Sequence, residues 1–146
     1  MEEKDLYEYL NSLIVWAEGR GYYIHFEEGG DNCICPDSKI IEINSSSPLE
    51  DQVYCLLHEC GHVAIYENGS FWDFQNKPRY LYSRNPSEHE DFLVKERYRV
   101  YTVIEEAEAW QRGFKLANRL NIPISKERWE QEMLIALGKY LDWAAT

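Results

Sequence analysis

The chain has no long apolar run. Nothing in it approaches the roughly 18 consecutive apolar residues that a membrane-spanning helix needs, so no membrane segment is expected. It has no basic surplus either: 15 Lys and Arg stand against 26 Asp and Glu, for a net charge of -11. Phosphate backbones are bound through clustered Lys and Arg, and anionic lipid surfaces through polybasic stretches. The charge balance therefore argues against nucleic acid and against a membrane as partners. The acidic residues are scattered rather than gathered into a tail, as on a soluble, self-repelling surface. Met1-Glu2-Glu3-Lys4-Asp5 is acidic and no apolar signal core follows it. Cysteine is sparse, and Cys33, Cys35, Cys55 and Cys60 form no paired C-x-x-C spacing. Reduced thiols in a cytoplasm are the expectation. There is no internal repeat, low-complexity tract or linker.

What is present is enough for one domain, residues 1–146, around one core. At this size folding buries about two-thirds of the unfolded chain's surface, so no cross-links are required. The aromatic share is high, with 5 Trp, 11 Tyr and 5 Phe. Asp5 to Glu18 reads as an amphipathic helix with Leu6, Tyr9, Leu10, Leu13, Ile14 and Ala17 on one face, stopped by Gly19 and Gly21. Tyr22 to Glu27 alternates as a strand. Cys33-Ile34-Cys35 is a short strand between two turn clusters, and Lys39 to Asn44 is another. A small antiparallel sheet is the expectation. Ser47, as N-cap, and Pro48 open a helix that runs to about Tyr66. Ser70 to Pro86 reads as a loop that walls a cleft. A long helix from near Ser87, with Ser87 and Glu90 at capping-box spacing, carries Leu93, Tyr101, Ile104, Trp110, Phe114 and Ala117 along a stripe to about Leu120. Ser125 caps a last helix with Trp129, Met133, Ala136, Leu137, Tyr140 and Leu141 inward. The fold class is α+β.

The chemistry is carried by His58-Glu59-Cys60-Gly61-His62, an H-E-x-x-H run inside a helical pattern of Val53, Leu56, Leu57, Val63 and Ala64. Residues four apart on a helix lie one above the other, so His58 and His62 offer two imidazoles to one metal ion. Glu59 projects at a neighbouring angle, where its carboxylate can take a proton from a water at that ion. A catalytic zinc site uses three protein ligands and keeps one position open. In related families the third is a His six residues on or a Glu on the following helix. The first option meets Asn68; the second meets Glu105-Glu106-Ala107-Glu108. A carboxylate among Tyr101, Ile104, Ala107 and Trp110 is costly to bury unless paired or metal-bound. Glu106, with Ala109 one turn on to let two helices approach, is the expected third ligand, and Glu105 is in reserve. Glu108 is expected to be solvated or paired with Arg112. Gly61 marks close packing, Cys60 is a small buried residue, and His25 belongs to a strand surface. Tyr98 or Tyr101 is either a core aromatic or an oxyanion donor.

A leading helix, a short sheet ending in Ile40-Ile41-Glu42-Ile43-Asn44, the H-E-x-x-H helix and then the E-x-x-A of Glu106 and Ala109 resemble the ImmA/IrrE-type metallopeptidases. These are small zincin-like domains common in bacteria, mobile elements and phages. The resemblance spans about Gly21 to Asn121. It implies zinc held by His58, His62 and Glu106, with Glu59 as general base, and a protein or peptide substrate such as a repressor or regulator. Members of that family usually have Asn or Asp after the Ala; here Trp110 follows Ala109. The expected reaction is hydrolysis of a peptide bond, with the substrate extended along an exposed strand edge, Lys39 to Asn44 or Tyr22 to Glu27. The alternative is a zinc-stabilised regulatory or protein-binding module without turnover.

Overall fold

A computed structural model describes residues 2–68 and 92–146. The expectations for the Ser70 to Pro86 loop and the Ser87–Glu90 capping box fall outside these residues. The described elements are α1 (Glu3–Glu18), β1 (Tyr23–Glu27), β2 (Cys33–Cys35), β3 (Ile40–Asn44), α2 (Leu49–Asn68), α3 (Phe92–Arg119) and α4 (Lys126–Ala144). The class is α+β, as expected. No helix among the described residues is long and apolar enough to cross a membrane.

Helix α1 buries Leu6, Leu10, Leu13 and Ala17, the apolar face its spacing implies. It closes with Gly21 in the left-handed region at φ 88°, while Tyr22 N donates back to Ala17 O at 3.1 Å. Glycine adopts that backbone without the Cβ penalty. Helix α3 ends the same way on Asn121 (φ 56°), with Ile122 N donating to Ala117 O at 2.8 Å.

The sheet corrects one expectation. It is mixed rather than antiparallel, in the order β1-β3-β2. β3 pairs parallel with β1 (Ile24 opposite Ile41) and antiparallel with β2 (Ile34 opposite Ile41). The alternation of apolar residues fixes which face of a strand is buried, but it does not name the strand's neighbours. After the β2 hairpin, β3 returns between the two earlier strands, and its Ile41 and Ile43 are wholly buried. Being central, β3 has no free edge, so Lys39 to Asn44 cannot take an added strand. The joint between sheet and α2 is tied by side chains: Asn44 Oδ1 accepts from Gly29 N and Ser46 N, both at 3.0 Å.

Helix α2 is the central element, with Val53, Leu56, Leu57, Cys60 and Val63 all buried. It starts one residue later than expected. Pro48 O accepts the first helical bond, from Gln52 N at 3.0 Å, and the Gln52 amide donates to Ser47 O at 2.7 Å. Ser47 is therefore not the N-cap; its carbonyl serves the Gln52 side chain instead.

Against α2 lies α3, along a seam with no room for side chains. A Cβ on Gly61 would come within 1.9 Å of Ala109 O, and one on Gly113 within 2.7 Å of Leu57 O. Arg112 spans the seam, donating to Ala64 O at 3.2 Å and pairing with Glu108 at 2.9 Å. Ile104 departs from the expected stripe: it is exposed, because that part of α3 turns its other faces to the cleft and the core.

Ser125 caps α4 by accepting from Arg128 N at 3.2 Å. Arg128 reaches back to Glu50 and Asp51 at the start of α2 and lies over the Tyr54 ring. Trp129 is the buried anchor of α4. Leu141, expected inward, is 57% exposed, as are Leu134 and Ile135 at more than half. Among the described residues, α3 and the start of α2 pack against the inner face of α4.

Candidate metal centre

The α2–α3 seam brings the two halves of the motif together. His58 Nε2 lies 3.0 Å from Glu106 Oε2, and His62 Nε2 lies 3.0 Å from Glu106 Oε1. The imidazoles meet edge to face, with centroids 4.9 Å apart. One ligating atom from each of His58, His62 and Glu106 lies within 4.8 Å of the others, and this is the group among the described residues that could hold a metal ion. Zinc bonds of about 2.0–2.1 Å imply tetrahedral corners roughly 3.3 Å apart. The nitrogen–oxygen separations therefore need to open by only a few tenths of an ångström. Two imidazole nitrogens and a carboxylate oxygen are also the donor chemistry that borderline divalent metals favour. The residues fit zinc.

Burial and charge are set against each other here. Glu106 is buried, which opposes its ionised form, yet the charge of His62 and hydrogen bonds from both histidines outweigh this and hold it well below the usual carboxylate range. His62 is the mirror case. Burial disfavours its charge, but Glu106 and Glu105 raise its pKa well above the ordinary value. Glu59 differs from Glu106. It is equally buried, and burial pushes its pKa up, against the pull of His58 and His62. Its Oε1 sits 3.9 Å from His58 Nε2, beside the donor group without being part of it.

The two histidines are held differently. His62 Nδ1 lies 3.3 Å from Glu105 Oε2, too poorly aligned for a good hydrogen bond but close enough for pairing. Glu105 is itself anchored by the Tyr66 hydroxyl at 3.1 Å, and the Tyr66 ring stacks on His62. Glu105 thus stands behind His62 and outside the donor group, and Glu106 is the glutamate that faces the imidazole Nε2 atoms. His58 Nδ1 is buried and has no hydrogen-bond partner. Its ring stacks instead on Trp110, with centroids 4.3 Å apart and planes 29° from parallel.

The donors open on a cleft lined by Cys33, Ile34 and Cys35 of β2 on one side and by Ala136, Lys139 and Tyr140 of α4 on another. Tyr98 reaches this cleft. Tyr140 does too, and it sits beside Glu106: burial first, then the Glu106 charge, raise its pKa, so it is a hydrogen-bond donor at neutral pH. Sequence reasoning treated Tyr140 only as an inward residue of α4, and Trp110 only as part of a stripe. The signal available for both was an aromatic at helical spacing, which reads equally well as core. Cys60 is fully buried and His25 pairs with Glu27 at the surface, at 2.7 Å, as expected. All four cysteines are free thiols.

Against family models, curated proteins and solved structures, the chain finds no match.

Proposed function

We propose that this protein is a zinc-dependent metallopeptidase of the zincin type, akin to the ImmA/IrrE-type enzymes. The observation that carries the reading is the meeting of His58 Nε2 and His62 Nε2 on one Glu106 carboxylate, with the buried Glu59 3.9 Å from the first nitrogen. His58, His62 and Glu106 hold the metal. Zinc in such a site lowers the pKa of a water and polarises a carbonyl.

The chain's own residues supply the rest. A purely structural site does not need Glu59, and burying a carboxyl with its pKa raised costs stability. That placement suits a general base: the carboxylate takes the proton of the attacking water and passes it to the leaving amine. Tyr140, kept protonated, offers its hydroxyl to the cleft, where a tetrahedral oxyanion would accept it. A substrate in extended form adds to the edge of β2 away from β3, which no strand among the described residues covers and whose three residues line the cleft. The substrate is a protein or peptide, and the net charge of -11 favours a neutral or basic segment.

Glu59→Gln separates this reading from a zinc-stabilised binding module. The variant is expected to keep one equivalent of zinc and to lose cleavage of a quenched fluorescent peptide library by about 10²- to 10⁴-fold. Equal cleavage by wild type and variant sinks the assignment of Glu59 as base. Zinc binding by a wild type that cleaves nothing in the library favours the binding module.

A further inference from the structure

We infer that Trp110 is a positioning residue that fixes the ring plane of His58, doing with an aromatic face what the nearby Glu105 carboxylate does by charge for His62. This rests on the reading of His58 and His62 as metal ligands. A ligating imidazole presents one nitrogen to the ion, and its orientation is normally set by an acceptor on the other nitrogen. His62 Nδ1 has no well-aligned hydrogen bond, but the Glu105 carboxylate, itself held by Tyr66, lies 3.3 Å from it and pairs with it by charge. His58 has no such neighbour: its Nδ1 is buried and unpartnered. The ring is still fixed, because the Trp110 indole lies against its face with centroids 4.3 Å apart. Rotation about the Cβ–Cγ bond would drive the imidazole edge into the indole, so Nε2 stays directed at Glu106, 3.0 Å away.

The indole is itself immobilised. Trp110 O accepts a hydrogen bond from Trp129 Nε1 at 2.9 Å, and the two indoles pack edge to face with centroids 4.8 Å apart. Trp129 in turn rests against Tyr54 on α2, at 5.7 Å. Trp110's own Nε1 is buried without a partner, so its contribution at the site is its ring surface and not its N–H. The helix that carries Glu106 thereby also carries the plate that aims His58, and the two are one turn apart. A histidine without a carboxylate behind it donates less charge to an ion than one so backed. The two nitrogen ligands are therefore unequal, with His58 the weaker donor.

The test uses the full-length chain with zinc and cobalt(II) as the metals. Trp110→Ala is expected to lower zinc affinity by about 10- to 100-fold and to weaken the visible cobalt(II) absorption as the four-coordinate geometry loosens. Trp110→Phe keeps a flat ring over His58 and is expected to restore both. Trp129→Phe controls for packing: it removes the bond to Trp110 O, and is expected to lower the melting temperature while leaving the cobalt(II) spectrum close to wild type. Cobalt(II) should also quench the tryptophan emission of wild type, and most of that quenching should vanish in Trp110→Phe at unchanged affinity. Trp110→Ala with wild-type affinity and spectrum overturns the inference and leaves the metal reading standing. So does a loss in Trp110→Ala that Trp110→Phe fails to rescue. A wild type that binds neither metal overturns the reading beneath and this inference with it.

Discussion

The contacts that α3 makes with α2 and with α4 are built on opposite principles. Against α2 it packs backbone to backbone, and a single added carbon on Gly61 would meet Ala109 O at 1.9 Å. Against α4 it packs through aromatic side chains, Trp110 on Trp129 and Tyr98 on Trp143. Most of α4's outer face is then left to solvent, Leu134 and Leu141 included. The first contact fixes main-chain positions to tenths of an ångström, as a set of convergent donor atoms requires. The second tolerates changes in side-chain shape, and α4 forms one wall of the cleft. Precision and adaptability are divided between the two sides of one helix.

The sharpest way to break that contrast is Gly61→Ala. The new methyl has no flexible neighbour to displace, since its obstacle is a backbone carbonyl. The helices must part, and the expected cost is about 3 kcal/mol or more in urea unfolding, at the upper end of what overpacking exacts. A loss under about 1 kcal/mol would mean that the seam is looser than its geometry.

A smaller effect probes how dry the cleft end of α2 is. The Cys55 thiol is pushed up to about 11, by burial first and then by the Glu59 and Asp51 carboxylates. A pKa raised in the folded state contributes stability that is complete below the unfolded value of 9.0 and fades as pH climbs to about 11. Wild type should lose about 2 kcal/mol across that window relative to Cys55→Ala. Parallel stability curves for the two proteins would show the thiol to be solvated.

The least effect belongs to the outer face of α4. Leu134→Gln replaces a side chain that is 65% exposed, and the unfolding midpoint should correspond to a change within about 0.5 kcal/mol. A larger loss would show that this face is covered in solution.

Local periodicity made much of this arrangement readable. The face of α1, the alternation of β1 and the helix carrying His58 and His62 all follow from spacing alone. Ala109 and Gly61, small residues where a larger one would be ordinary, signalled the close approach of α2 and α3. Glu106 was legible as a carboxylate too deep in an apolar setting to lack a partner. Pairing was not legible. β3 lies between β1 and β2 because of where the hairpin returns, and side-chain alternation carries no trace of that. The burial of Ile104 and Leu141 was misjudged for a related reason: a stripe on a long helix marks a face, and says nothing of where the partner helix ends. Glu105 and Trp110, each behind a different histidine, depend on contacts across the seam that only the assembled helices define.

The spacing along the chain across that seam has a consequence for timing. Arg112 on α3 meets Ala64 on α2 across 48 residues of chain. Closing a loop of that length costs roughly 3 kcal/mol of chain entropy, which is recovered only when the glycine-lined contact forms. During synthesis His58 and His62 emerge well before Glu106, and by themselves they are two nitrogens on one helical turn. The three-donor group is complete only once α3 packs on α2. The donor group can therefore assemble only after α3 has been made.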